Sequence, residues 1–172
     1  MSTEKREAQD TQGRKYSVAR NKQERFVLLV DIMGFSAFVQ NTGFNEALDQ
    51  VVKFNKALMT RAENLLQGDR LKLAFFSDSI LVVSEANTQE DLNLISKAGV
   101  VLMQESFKNG FAIKGCLAHG QFHYDTETNI FFGLPLVNAY QLGDQELKYY
   151  GIIVHHTAER KIRDLNKPFI KL

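Results

Sequence analysis

Residues 26–30, Phe-Val-Leu-Leu-Val, are apolar at every position and run straight into a carboxylate, Asp31. Side chains of a strand alternate between faces, so such a run needs cover on both sides and belongs in the middle of a sheet. Its last residue then carries a negative charge to the rim of that sheet. A lone carboxylate is costly to bury unless something pairs with it, so Asp31 demands a partner elsewhere in the chain.

The remaining composition limits what that partner serves. A chain of 172 residues with 44% hydrophobic content suits one globular domain with a sizeable core. Lysine and arginine total 21 against 20 acidic residues, a net charge of +1, which excludes a charge-driven nucleic-acid or anionic-membrane partner. The single cysteine, Cys116, forms no internal disulfide, and neither a signal-like apolar stretch nor a membrane span is evident, so a cytoplasmic location is expected. Residues 1–25 are polar and mixed in charge, with too little apolar surface to offset the entropy of ordering. They are expected to form a flexible or partner-dependent arm before a domain spanning 26–172.

Within that domain, Phe44, Ala47, Leu48, Val51, Val52, Leu58, Ala62, Leu65 and Leu66 recur at helical spacing, with Gly68 at the expected C-cap. Residues 71–85 form two β-rich runs around Ser77-Asp78-Ser79, a hairpin with Asp78 at its turn. Thr88 and Asp91 open a second helix that Gly110 closes. Residues 111–125 and 129–133 read as strands, 134–146 as a short helix with Pro135 in its first turn, and 151–156 as a late strand. The order predicts an α+β fold, a ferredoxin-like βαββαβ core with additional αβ elements.

In such a sheet the first strand neighbours the hairpin, which would bring Asp31 beside Asp78. Two close carboxylates repel unless a proton or cation sits between them, and Mg²⁺ or Mn²⁺ with phosphate oxygens is a common resolution. Gly34, in the loop Ile32-Met33-Gly34-Phe35-Ser36, allows backbone amides close to a polyphosphate, and a helix starting near Phe35 would turn its positive end there.

These residues resemble the class III nucleotidyl cyclases. That family has a strand ending in D-x-x-G-F/Y and, about 45 residues later, a hairpin with a second aspartate. Here Asp31-Ile32-Met33-Gly34-Phe35 is followed by Asp78 47 positions on. The resemblance implies Asp31, Asp78 and the Ile32 carbonyl as ligands of two Mg²⁺ or Mn²⁺ ions. Gly34, Phe35, Ser36, Ala74 and Phe76 become candidate substrate contacts. The purine-reading Lys or Glu of mammalian-type members falls at Ala74, the later purine reader at Leu134 and the transition-state arginine near Gln141. The ribose-supporting asparagine falls at Val137 or, one residue on, at Asn138.

The pattern is more similar to the bacterial Pycsar-type pyrimidine nucleotide cyclases, through "VDIMGFS", "FSDSI", "IKGCLAHG", "FFGLPLVNAYQLGD" and "YYGIIV". By that resemblance Lys114 replaces a phosphate-contacting arginine, a point charge in place of a planar fork. Lys72, on the strand before Asp78, is a second source of positive charge. The resemblance implies a homodimer with active sites at its interface, a UTP or CTP substrate, a cyclic nucleotide alarm in antiphage defence and a separate effector. The alternatives are a purine cyclase with relocated base readers, or a catalytically silent cyclase-like binding domain. His119, His123, His155 and His156 lack ligand spacing and read as structural or surface residues, Cys116 as a small buried residue, and residues 155–168 as a solvated helix or tail.

Overall fold

The computed structural model describes residues 5–9, 15–19, 23–66, 69–125 and 128–166. Lys5–Gln9 (β1) pairs antiparallel with Lys15–Ala19 (β2) as a two-stranded sheet of its own. The segment expected as an arm therefore contains a backbone-paired hairpin, because ladder hydrogen bonds need no apolar sequence. Its other residues up to 22 lie outside the described set.

Glu24–Ile32 (β3) starts two residues before the expected domain edge and is the central strand of a five-stranded sheet. Leu71–Phe76 (β4) and Ser79–Ser84 (β5) form the expected hairpin, and Ile113–Gln121 (β6) and Gly151–Val154 (β9) complete the order β4-β5-β3-β6-β9. The first four strands pair antiparallel in the ferredoxin-like order; β9 adds parallel to β6. His123–Asp125 (β7) and Ile130–Phe132 (β8) make a separate small hairpin. What reads as one strand in residues 111–125 is thus β6 and β7, broken at Phe122, whose backbone N–H instead donates to the Gln23 carbonyl.

The alternation of β3 sorts the two cores. Phe26, Leu28, Val30 and Ile32 face one cluster, with Phe54, Leu58, Leu92, Ile95 and Leu102. Those partners come from two helices, Phe44–Leu66 (α2) and Gln89–Lys108 (α3). Val27 and Leu29 face the other side, toward Phe122, Phe131, Leu136 and Ala139. There the cover is the β7–β8 hairpin and Leu134–Tyr140 (α4), which carries Pro135 in its first turn. The double cover explains why residues 26–30 hold no polar side chain.

Three expectations about helices change. The helices expected near Phe35 and over Phe44 to Leu66 are present as Phe35–Asn41 (α1) and α2, but the apolar positions of α2 are not all buried. Phe44, Leu48 and Val52 are exposed (76%, 48% and 40%), whereas Ala47, Phe54, Leu58 and Ala62 are buried. Two apolar stripes run along α2, and the sheet takes only one. Gly68 lies outside the described residues. The predicted helix 134–146 ends as α4 at Tyr140 and continues as a π-helical turn over Gln141–Glu146. Finally, His156–Leu165 (α5) is docked: Ala158 is fully buried, and Ile162 and Leu165 pack on the first cluster. Its spacing of apolar residues gives a narrow contact stripe within a highly charged segment. Thr88 and Asp91 form the anticipated capping box at α3.

Candidate functional site

The site lies at the end of β3, on the face covered by α4. Register sets it up: Asp31 pairs with Ser79 of β5 on one side and with Lys114 of β6 on the other. The β4–β5 turn, Ser77-Asp78, closes beside it, and the Ile32 amide donates to the Asp78 carbonyl at 3.0 Å. Ser77 adopts a positive φ of 54° at the first turn position, as tight hairpins favour because the turn then follows the strand twist. Asp31 and Asp78 are therefore neighbours because of strand pairing, not sequence proximity.

Asp31 is half-buried and accepts a hydrogen bond from the Ser79 hydroxyl at 3.3 Å. Burial pushes its carboxyl up to about 6, and the negative charges of Asp78 and then Asp144 push the same way, against Lys114 and Ser79. The carboxylate thus sits in a field that favours a cation. Among the described residues no group of three or more His, Cys, Asp or Glu is arranged to hold a metal. Any ion on Asp31 and Asp78 would complete its shell from a ligand, water or backbone carbonyls.

The loop after β3 is open. Gly34 has φ +72°, and a Cβ there would meet nothing within 4 Å, so a bulky anion can approach its backbone. Ser36 is exposed, and its hydroxyl accepts from Gln40 at 3.4 Å. The Phe35 ring packs instead on the first core cluster and against Phe38, with centroids 6.1 Å apart. Any contribution of Phe35 to a ligand comes from its backbone.

Lys114 is held rather than free. Its ammonium donates to the Asp144 carbonyl at 2.5 Å and pairs with the Asp144 carboxylate at 2.6 Å. Lys72 is tied elsewhere: its ammonium pairs with Asp69 at 2.8 Å, at the start of β4 and away from the Asp78 turn. The expected second positive charge near the phosphates is thereby corrected, since the strand length separates Lys72 from Asp78.

A cavity of about 550 Å³ opens next to Asp31, lined by Leu29, Phe76, Ser79, Leu81, Phe131 and Tyr140, with Asn129 at its side. This volume and apolar lining match small-molecule pockets generally. Phe76 meets Phe131 edge-on at 5.6 Å. Ala74 is half-buried among the residues of the second cluster, on the same face. Ser79 joins the two halves of the site, since it both lines the cavity and bonds Asp31. Asn138 is half-buried on α4, and the α4 residues that line the cavity are Leu136, Val137 and Tyr140.

Sequence reasoning missed Asp144. Its only signal was a Gly-Asp pair near the end of a predicted helix, and an α-helical projection gives the wrong direction for a residue in a π-helical turn. Two of the histidines take structural positions: His155 caps α5 by accepting from the Thr157 amide, and the His119 ring lies 5.0 Å from that of Phe26. Cys116 is fully buried, and burial raises its thiol to about 11. No described helix is long and apolar enough to cross a membrane.

No family model matches the chain, and no curated protein does. Solved structures do. The guanylate cyclase domain of RhGC from Catenaria anguillulae, in complex with GTP, aligns with a TM-score of 0.66 at 13% identity, covering 83% of each chain. The dimeric guanylyl cyclase domain of the RhoGC fusion protein from Blastocladiella emersonii gives 0.63 at 15% identity, over 83% of this chain and 84% of that one. A class III adenylyl cyclase-like ATP-binding protein from Pseudomonas aeruginosa gives 0.54 at 16% identity, over 81% of this chain and 34% of that one. The chain has the fold of class III cyclase domains.

Proposed function

We propose that the chain is a nucleotidyl cyclase that converts UTP or CTP to the 3′,5′-cyclic monophosphate and pyrophosphate. The observation that carries this reading is the pairing of Asp31 with the Asp78 turn, beside an apolar cavity, within a fold shared with cyclase domains. In the reaction the ribose 3′-oxygen bonds to the α-phosphorus, the bond from that phosphorus to pyrophosphate breaks, and the hydroxyl proton passes to solvent.

The donor set fits hard divalent cations. Asp31, Asp78 and the Ile32 carbonyl offer oxygen only, and Asp31 sits in surplus negative charge. Two Mg²⁺ or Mn²⁺ ions, when bound, supply Lewis acidity at the 3′-hydroxyl and neutralise phosphate charge. The chain's own groups do the rest. Gly34 admits the triphosphate to the loop backbone, with Ser36 at its edge, and Lys114 adds a fixed positive charge. The walls at Ala74, Phe76 and Tyr140 receive the base and exclude water, and Asn138 is the candidate partner of the ribose.

The pyrimidine preference rests on the resemblance, which puts Ala74 where purine cyclases carry a polar reader. So do the roles in antiphage signalling and of a separate effector. A homodimer with the site at its interface is supported by the exposed Phe132, Leu134, Val137 and Tyr140 around the cavity. Two other readings have specific support. The similar structures are named for guanylate cyclase activity or ATP binding, which favours a purine cyclase. The residues Leu134 and Gln141, at the positions of a purine reader and a transition-state arginine, favour a silent nucleotide-binding domain.

The test incubates the full chain with ATP, GTP, CTP or UTP and Mg²⁺ or Mn²⁺, with products identified by mass spectrometry. A cyclic pyrimidine product that disappears in Asp31→Asn and Asp78→Asn is the expected result. A purine product selects the purine cyclase, and no product from any nucleotide at micromolar protein selects the silent domain.

A further inference from the structure

Lys114 stands out among the basic residues near the site because its flexible side chain is held at two points by one residue. Asp144 offers both its carbonyl, 2.5 Å from Nζ, and its carboxylate, 2.6 Å away. The Lys114 side chain is only 13% exposed. An ammonium has three N–H donors, and Asp144 takes two of them. Among the described residues the third has no partner.

The backbone around Asp144 is built for this contact. A π-helical turn, which is rare and recurs at functional sites, carries Gly143 flat against β6. A Cβ on Gly143 would come within 3.0 Å of both Cβ and N of Cys116 and 3.1 Å of the Gly115 carbonyl carbon. Gly143, set against the backbone of Gly115 and Cys116, brings the turn close enough for the next residue, Asp144, to reach across to the residue before Gly115, Lys114.

We infer that Asp144 is a positioning residue that clamps the Lys114 ammonium and directs its remaining N–H to an anionic, phosphate-bearing ligand beside Asp31. The inference rests on the proposed nucleotide site. Its physical content is that a lysine, normally a mobile point charge, acquires the directional hold that a guanidinium fork possesses by its own shape. The two contacts remove the rotamer freedom that a free lysine would lose on binding a phosphate.

The experiment uses the full chain with inorganic tripolyphosphate and Mg²⁺ as the probe, followed by calorimetry, and ¹⁵N-lysine labelling to observe the Lys114 ammonium. In the unliganded wild type, a hydrogen-bonded ammonium gives a slowly exchanging Nζ signal, assigned by its absence in Lys114→Ala. Asp144→Asn, which keeps the side-chain shape, is expected to lose that signal and to bind the probe about tenfold more weakly. Asp144→Asn combined with Lys114→Ala is expected to bind no more weakly than Lys114→Ala alone, and Asp144→Glu to recover part of the affinity. Unchanged or tighter binding by Asp144→Asn, or a loss that persists without Lys114, overturns the positioning role and leaves the nucleotide site standing. A wild type that fails to bind the probe overturns both.

Discussion

Asp31 and Lys114 are directly paired across β3 and β6, yet the Lys114 ammonium is captured by Asp144 at 2.6 Å. Lys114 still lowers the affinity of Asp31 for a proton, but burial, Asp78 and Asp144 outweigh it. The positive charge nearest in the sheet does not satisfy Asp31. That imbalance leaves surplus negative charge at the end of β3, and it has measurable consequences.

Replacing Asp31 with Asn removes a charge held at a cost. Without divalent ions at pH 7, Asp31→Asn is expected to be more stable than wild type by about 1 kcal/mol, after discount for solvent screening. For a chain of this size that raises Tm by about 2–4 °C. Added Mn²⁺ is expected to raise the Tm of the wild type and not that of the variant. A variant that melts lower than wild type in EDTA would count against the geometry described.

Asp91 provides the opposite case. It is fully buried, and burial alone would raise its pKa, but the Thr88 hydroxyl and Arg70, with the Thr88 amide, more than compensate and hold it below the ordinary carboxylate range. A depressed folded-state pKa gives stability that is complete above the unfolded value, about 3.9, and is lost as pH falls through the folded value. Urea titrations should therefore show Asp91→Asn less stable than wild type at pH 7, with the gap closing below about pH 4. A gap independent of pH would mean that shape, not charge, matters at this cap.

Gly143→Ala tests the close approach that places Asp144. The added methyl would meet backbone at Gly115 and Cys116, which cannot rotate away, so about 1–3 kcal/mol of stability is expected to be lost in denaturant titration. The Lys114 Nζ signal should weaken in the same variant. Gly34→Ala, where no atom lies within 4 Å, would suffer only from its φ of +72°.

The two stripes of α2 separate by truncation. Phe54 is fully buried and meets Phe111 at 5.2 Å, whereas Phe44 is 76% exposed. Phe54→Ala is expected to cost about 3–5 kcal/mol, and Phe44→Ala to stay within about 0.5 kcal/mol. Equal losses in the two would show that the exposed stripe is covered, for instance by a second copy of the chain.

Much of this arrangement was legible in order and pattern. The unbroken apolar run before Asp31, the Ser-Asp-Ser turn and the Thr88–Asp91 box are local signals, because strand alternation, turn chemistry and capping each depend on a few adjacent residues. The choice of stripe on α2 was not legible, since Phe44 and Phe54 are equally apolar and only the sheet decides which is covered. α5 was masked by its charge for the same reason: Ala158 is a small residue whose burial depends on a surface supplied from elsewhere.

The sequence alone therefore determined the main strands and long helices of the domain, the central place of β3 and the meeting of Asp31 with Asp78, because a run apolar on both faces belongs mid-sheet and the hairpin pairs beside it. Only the tertiary structure decided that Lys72 points away, that Asp144 joins the site and that Lys114 is clamped. Those outcomes depend on a few ångströms of approach between β6 and a π-helical turn, and on which carboxylate each long, flexible side chain meets first. No periodicity along the chain encodes such distances.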